Sequence, residues 1–190
     1  MGLPDYFVIY HGPTGEQDLR LLLDAWSWAA GPIGHDNPLV ILGLQGNSRE
    51  LLSTLTEEYQ LNETLIALED VPRSYLPYVY KHSAVIFHPT RESPWCGPLR
   101  LALACGKPVV ASETILADAL VGPAAYLIKE HKSYQSTCRA LGAALVSVVV
   151  EEDLAESLST AARQRALTWK NDSTRLSSEL GAIYARTVKW

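Results

Sequence analysis

Two loops of this 190-residue chain carry residue types that bind charged ligands, and each loop follows a strand-like segment. His11–Gly15 follows the apolar run Tyr6–Tyr10, and the loop to Gly97 follows the run Ala84–His88. The second loop contains charged, aromatic and thiol side chains. It leads into a helix that begins at Gly97-Pro98, where proline costs no hydrogen bond. A helix N-terminus favours an anion because its first N–H groups lack partners and its dipole is positive there. The two loops therefore predict a phosphate-binding site.

The candidate ligand contacts in these loops each have a second interpretation. For the glycines the alternative is a simple turn, for the neighbouring Arg91 and Glu92 a solvated charge pair, and for Trp95 a cover over the helix end. His11 and His88 end their strands, where a histidine more often packs or caps than binds. The candidates are Gly12, Thr14, Gly15, Arg91, Glu92, Trp95 and Gly97.

Six continuous apolar runs alternate with helical segments along the chain. Continuous hydrophobicity is typical of strands covered on both faces, so the pattern predicts a doubly wound, six-stranded parallel sheet in an α/β fold. Such sheets bind ligands beyond the carboxyl ends of the strands, where the strand order reverses. With the first strand central, the reversal lies between the first and fourth strands, where the two loops meet. The predicted strands are Tyr6–Tyr10, Pro38–Leu44, Thr64–Leu68, Ala84–His88, Pro108–Ala111 and Ala124–Ile128.

The helix boundaries follow from glycine, proline and capping residues. The first helix is predicted to end at Gly31-Pro32, and the third to cover Arg73–Lys81. Asn171 or Asp172 is predicted to cap the last helix. We expect a single domain over residues 1–190. The helices from about residue 151 exceed what one sheet needs, so they either pack on it or reach another domain.

The composition argues against several classes of protein. Hydrophobic residues make up 47% and charged residues 19%, which permits a full core and argues against disorder. The net charge of −5 argues against a nucleic-acid groove. The longest apolar run, Ala140–Val150, is shorter than the roughly 20 residues that span a bilayer, and we identify no signal peptide. Three cysteines without close pairs favour reduced thiols, so we expect a cytoplasmic protein.

Motifs of other enzyme classes are missing from the sequence. There is no GxGxxG, no Walker sequence and no nucleophile elbow, so nicotinamide, ATPase and serine-hydrolase chemistry have no support. The histidines and cysteines show no metal-ligand spacing. We therefore expect neither a metal nor a cofactor.

The segment Leu101–Ser112, LALACGKPVVAS, resembles the EAMACGxPVVAS segment of the group 1 glycosyltransferases. Similar elements occur in order along the chain. Pro38–Gly43 resembles the second strand of the family's donor domain, His88–Thr90 stands where the family has Pro-Ser, and Pro123–Tyr126 resembles its Gly-Ala-Ala strand. Trp169 and the helix after it resemble the terminal helix. The resemblance covers nearly the whole chain and implies a Rossmann-like domain, the C-terminal half of a retaining enzyme with the GT-B fold.

The resemblance also implies a function. The domain would bind a nucleotide-diphosphate sugar, and an N-terminal domain or separate subunit would hold the acceptor, so this fragment alone would not turn over. Glu92 would contact the sugar as the candidate catalytic residue, Gly12 would admit the diphosphate, and the base would lie against the Asp70–Arg73 loop. The candidate donor-binding residues are Gly12, Thr14, Asp70, Arg91, Trp95, Gly97, Pro98 and Leu99, of which the last three would carry the phosphates on their backbone.

Three positions depart from the family pattern. The arginine and lysine that clamp the diphosphate in the family fall near Pro13 and Gln17 here, and the glutamate that holds the ribose falls on Leu101. Charge-assisted bonds of this kind are worth roughly 1.5–3 kcal/mol each. Arg20 and Arg91 are candidates to replace the lost cations. The departures keep open an alternative function: a non-catalytic relative kept for structure or partner binding.

Overall fold

The computed structural model describes residues 2–44, 46–69, 71–90 and 96–187, with only the backbone of residues 170–173, 176 and 180–187. Six short strands alternate with helices along the described chain. The strands are β1 (Val8–Tyr10), β2 (Leu39–Leu42), β3 (Leu65–Leu68), β4 (Val85–His88), β5 (Val109–Ser112) and β6 (Ala125–Ile128). The helices are α1 (Glu16–Ile33), α2 (Ser48–Glu58), α3 (Leu76–His82), α4 (Gly97–Ala104), α5 (Ile115–Val121), α6 (Tyr134–Val150) and α7 (Glu152–Thr187), with a 3₁₀ turn at Gly122–Ala124.

The strands of the described chain form one parallel sheet in the order β3-β2-β1-β4-β5-β6. This confirms the predicted doubly wound α/β sheet. The chain winds outward from β1 in one direction through β2 and β3, then returns and winds the other way from β4. The order therefore reverses between β1 and β4, where Val8 pairs with Val85 and Ile9 with Ile86.

Each face of the sheet supports its own hydrophobic core. Tyr10 and Phe87 point to the face covered by α1, α2 and α6, whereas Ile9 and Ile86 point to the face covered by α3, α4, α5 and α7. The central strands β1, β2 and β4 are almost completely inaccessible to solvent. Burial on both faces explains why these strands are continuous apolar runs in the sequence.

The first and third helices differ from their predicted bounds. α1 runs through Gly31 and Pro32 to Ile33, whose buried side chain anchors the last turn in the core. α3 begins only at Leu76, because Pro77 has no N–H and fits an α-helix only in its first turn. The predicted start near Arg73 is instead a tight turn, in which the Leu76 N–H donates to the Arg73 carbonyl.

The predicted helix start at Asn171 or Asp172 is wrong. The backbone of α7 is one continuous helix of 36 residues that passes through both positions. Asparagine and aspartate cost only up to about 0.7 kcal/mol each inside a helix relative to alanine, so two of them do not stop it. The part of α7 before Lys170 packs on the sheet domain: Ala162 is buried, and Arg165 and Trp169 donate hydrogen bonds to the carbonyl of Leu120.

Candidate functional site

The carboxyl ends of β1 and β4 lie side by side at the point where the strand order reverses. Because the sheet is parallel, the loop after β1 and the loop that leads into α4 leave the same edge. Contacts between the two loops confirm this neighbourhood, since the Tyr10 hydroxyl lies 3.3 Å from Thr90 Oγ1. The two predicted loops therefore meet at one crevice.

The Tyr10 phenol fills the space beside Gly12. Its hydroxyl donates to the Pro13 carbonyl at 2.5 Å, and a Cβ on Gly12 would lie 2.7 Å from the Tyr10 hydroxyl oxygen. Glycine is therefore required at this position by packing within the chain. Burial raises the pKa of the Tyr10 hydroxyl, which stays protonated at neutral pH.

The His11 ring is held by α3. Its Nδ1 lies 2.9 Å from the hydroxyl of the buried Tyr80, and the two rings meet edge to face. The other side of the ring approaches Gly43 after β2, where a Cβ would lie 3.9 Å from His11 Nε2. Burial lowers the pKa of His11 from its usual 6.5, so the free imidazole is neutral at pH 7.

His88, at the end of β4, is the more buried of the two histidines. It is 2% exposed, its ring stacks on Tyr10 with centroids 6.3 Å apart, and neither ring nitrogen has a hydrogen-bond partner among the described residues. Burial, and secondarily the neighbouring His11, lower the pKa of His88 to about 4. The two histidines bring to this edge groups that can carry a proton.

The start of α4 is open. A Cβ on Gly97 would meet no atom of the described residues within 4 Å, and Cys96 before it adopts a left-handed backbone with φ 44°. Pro98 has no N–H, so only Gly97 and Leu99 can present backbone donors to an anion. The Leu99 side chain is buried in the core and fixes the helix start.

Thr14 is the one predicted side-chain contact in the β1 loop. Its hydroxyl lies 3.0 Å from the hydroxyl of Ser48 at the start of α2. The pair ties the β1 loop to α2 and brings two hydroxyls to the same edge of the sheet. The predicted Asp70, Arg91, Glu92 and Trp95 lie outside the described residues.

The departures from the family pattern are visible in the structure. Pro13 and Gln17 are exposed and uncharged. Arg20 pairs with Glu16 at 3.2 Å and Glu58 at 3.5 Å, so its charge is already engaged.

The position predicted for the ribose carboxylate is apolar. Leu101 is half-buried against the core on the face covered by α3, α4, α5 and α7. The guanidinium carbon of its neighbour Arg100 lies 5.3 Å from the centroid of the Trp169 ring. Neither Leu101 nor Arg100 has a carboxylate that could accept hydrogen bonds from a ribose.

A cleft of about 540 Å³ lies beside this crevice, at the carboxyl ends of β4, β5 and β6. Its lining includes Pro89, Ser112, Glu113 and Tyr134, with Ile115 90% exposed at the start of α5. The open volume at this edge therefore extends past the switch point towards β6. None of the predicted site residues that the structure describes lines it.

Two features of other protein classes are absent from the described residues. No cluster of three or more His, Cys, Asp or Glu side chains in this part of the chain could hold a metal ion. Within the same residues, no helix is long and apolar enough to cross a membrane.

Sequence reasoning did not assign a role to the Tyr10, His11, Tyr80 and His88 cluster. The two histidines were noted as strand ends, but the tyrosines looked like ordinary core residues. The sequence signal was the polar tip on an otherwise apolar run, since a buried tyrosine hydroxyl or imidazole needs a partner.

A six-stranded parallel sheet with helices on both faces and this strand order defines a doubly wound, Rossmann-like α/β domain. The family model for "Glycosyl transferases group 1" matches residues 4–165 of the chain. The chain belongs to the group 1 glycosyltransferases, as the sequence resemblance implied. No curated protein matches the chain.

Solved structures support the same fold. Sucrose-phosphate synthase from Thermosynechococcus elongatus is 20% identical with a TM-score of 0.78, and the match covers 97% of this chain and 47% of that one. Anabaena HepE, solved with UDP and glucose, is 17% identical with a TM-score of 0.72, covering 94% and 49%. The pneumococcal O-GlcNAc transferase GtfA, solved with UDP and GlcNAc, is 16% identical with a TM-score of 0.68, covering 90% and 36%. The chain thus spans half or less of the length of these structures.

Proposed function

We propose that this chain binds a nucleotide-diphosphate sugar as the donor-binding domain of a retaining glycosyltransferase. The donor is a substrate, and the proposal includes no cofactor. The diphosphate lies at the carboxyl ends of β1 and β4. The acceptor is held by a second domain or subunit, so the 190 residues alone bind the donor without turning it over.

The open N-terminus of α4 carries this proposal. Gly97 and Leu99 present N–H groups at the switch point, and no side chain of the described residues occupies the space beside Gly97. A diphosphate there would accept these hydrogen bonds and interact favourably with the helix dipole. Arg91 and Glu92 follow β4 as neighbours in the sequence. The contact of Glu92 with the sugar and the contact of Arg91 with the phosphate stay predictions. The same holds for Trp95 and for Asp70 beside the base.

Two of the similar structures favour UDP as the nucleotide to test first. HepE was solved with UDP and glucose, and GtfA with UDP and GlcNAc. The chain covers less than half of each of these proteins, which supports an acceptor site outside these residues.

Calorimetry with UDP-glucose, GDP-glucose and ADP-glucose tests the proposal. We expect one of the three to bind the wild-type chain at millimolar concentration or below. Gly97→Asp places a carboxylate at the phosphate position, whereas Gly97→Asn adds a side chain of the same size without charge. We expect the Asp variant to bind at least about tenfold more weakly than the Asn variant, a difference of about 1.4 kcal/mol. Equal affinity of the two variants would remove the α4 phosphate site.

A second candidate function is a non-catalytic relative that keeps the fold for partner binding. The neutral Pro13 and Gln17 and the apolar Leu101 favour it, because each removes a polar contact that the family resemblance implies. The same calorimetry separates the two functions, since a chain kept only for its fold gives no heat with any of the three nucleotide sugars.

A further inference from the structure

A diphosphate at the switch point needs positive charge, and the described residues offer little of it. Arg20 is engaged by two glutamates, and Arg49 pairs with Glu69 at 2.9 Å. Pro13 and Gln17 carry no charge. Among the described residues, the side chains at the ends of β1 and β4 that can become cationic are His11 and His88, whereas His131 and Lys132 line the neighbouring cleft towards β6.

We propose that His11 is a phosphate-binding residue that donates through Nε2 to the donor diphosphate and takes up a proton when the donor binds. The inference rests on the proposed function and adds a residue and a pH dependence to it. A histidine in this role replaces the permanent charge of an arginine or lysine with one that forms only in the complex.

The geometry orients His11 for this task. The Tyr80 hydroxyl holds Nδ1 at 2.9 Å, which leaves Nε2 as the nitrogen that can meet a ligand. Within the residues that the structure describes, the two ring nitrogens of His88 are the fully buried polar side-chain atoms without a hydrogen-bond partner. Nε2 of His11 is not among them, and the His11 side chain is only half-buried. Gly43 lies beside the His11 ring and has no side chain to block an approach.

The titratable groups that face His11 permit one positive charge on its ring. His88 from β4 is neutral at pH 7, because burial lowers its pKa to about 4. Burial raises the pKa of Tyr80 from α3 and of Tyr10 from β1, so both stay protonated donors. Gly43 after β2 brings no titratable group. Asp18 in the first turn of α1 acts on Tyr10, on the side of the sheet away from Tyr80.

The sign of the pH dependence follows from these contacts. In the free chain the pKa of His11 is lowered by burial, whereas a bound diphosphate would raise it by its negative charge. Binding then takes up a proton between the two pKa values, so donor affinity falls as pH rises. We expect affinity about three- to tenfold weaker at pH 8 than at pH 6.

The probe must be a nucleotide sugar rather than a free nucleotide. A terminal phosphate has a second pKa near 6 and would release protons of its own. The diphosphate of UDP-glucose is esterified at both ends and lacks this proton. Calorimetry with UDP-, GDP- and ADP-glucose at pH 6, 7 and 8, in buffers of different ionisation enthalpy, counts the protons taken up.

Two substitutions separate the proposed role from packing. In His11→Asn the amide nitrogen replaces Nδ1 and keeps the Tyr80 contact while Nε2 is lost. In His11→Gln the amide reaches the Nε2 position but cannot be protonated. We expect the Asn variant to lose about tenfold in affinity at pH 6, and both variants to lose the pH dependence and the proton uptake. The matched control is His35→Asn, at the opposite edge of the sheet, which should bind as the wild type does.

The outcomes distinguish this inference from the function it rests on. If the wild type binds no nucleotide sugar at any pH, the donor site and the role of His11 both fail. If the wild type binds one with no proton uptake, or if His11→Asn binds with the wild-type pH profile, only the role of His11 is overturned. Loss of pH dependence in both folded variants supports it.

Discussion

The ends of β1 and β4 place the same residue types in different surroundings. His11 ends its strand half-buried, with Nδ1 on the Tyr80 hydroxyl, whereas His88 is buried with neither nitrogen partnered in the described chain. The neighbouring helix makes the difference, because α3 offers a hydroxyl to one ring and none to the other. One histidine ring is thereby fixed by a hydrogen bond, and the other is kept neutral inside the protein.

The glycines of the two loops differ in the same way. The space beside Gly12 is filled by the Tyr10 phenol, whereas no atom of the described residues lies beside Gly97. Both were predicted to admit a ligand to the backbone. The structure gives Gly12 a packing reason of its own and leaves Gly97 as the glycine with room for a ligand beside it.

The largest expected effect is an acid destabilisation caused by His88. Its pKa is about 4 in the folded chain and 6.5 ordinarily, so below pH 6.5 the unfolded chain binds a proton that the folded chain does not. Stability is therefore lost as pH falls. From this group alone we expect the free energy of unfolding to drop by about 2 kcal/mol at pH 5 and about 3 kcal/mol at pH 4.

Urea unfolding of wild type and His88→Phe across pH 4 to 7 measures this effect. The difference in unfolding free energy between the two should grow in favour of the variant as pH falls. His35→Asn, which removes an exposed histidine, should follow the wild type. Parallel pH profiles for wild type and His88→Phe would mean that His88 finds a partner for its proton.

The second effect concerns the two glycines. Gly12→Ala places a Cβ 2.7 Å from the Tyr10 hydroxyl, and overpacking of this kind costs about 1–3 kcal/mol. The added Cβ of Gly97→Ala meets no atom in the part of the chain that the structure describes, and we expect it to change stability by less than about 0.5 kcal/mol. Chemical denaturation of both variants checks the contrast. Equal stabilities would show that the Tyr10 ring can move aside at no cost.

The smallest effect is loss of the Tyr80 hydroxyl. Tyr80→Phe removes the bond to His11 Nδ1 and should cost about 1 kcal/mol, because that bond is partly buried. The imidazole signals of His11 in a ¹⁵N NMR spectrum should shift as the ring loses its fixed tautomer. Tyr78→Phe, at an exposed position of the same helix, is the control. Unchanged His11 signals in Tyr80→Phe would argue against the orienting role of Tyr80.

The sheet and its switch point could be predicted because they depend on local patterns. Apolar runs such as Leu39–Leu42 mark strands buried on both faces, and the helices between them require parallel pairing. The start of α4 was also readable, since Gly97-Pro98 is a typical first turn. Helix ends were less predictable: the buried Ile33 extends α1 through Gly31-Pro32, and α7 continues through Asn171.

The contacts inside the site could not be predicted, because they join residues far apart in the chain. His11 and Tyr80 are 69 positions apart, and Tyr10 and Thr90 are 80 apart. No local rule tells which histidine receives a hydroxyl, or which glycine has a phenol beside it. Those assignments follow from how α3 and β1 pack.

The residue pattern by itself determined the α/β architecture, the family and the edge of the sheet where charged ligands would bind, since hydrophobic periodicity and short segments specify all three. Only the folded chain decided that Tyr80 holds Nδ1 of His11, that His88 is kept neutral and that no atom of the described residues lies beside Gly97. The physical reason is burial. Solvent access and hydrogen-bond partners arise when distant segments pack together, and they set which polar groups can carry charge.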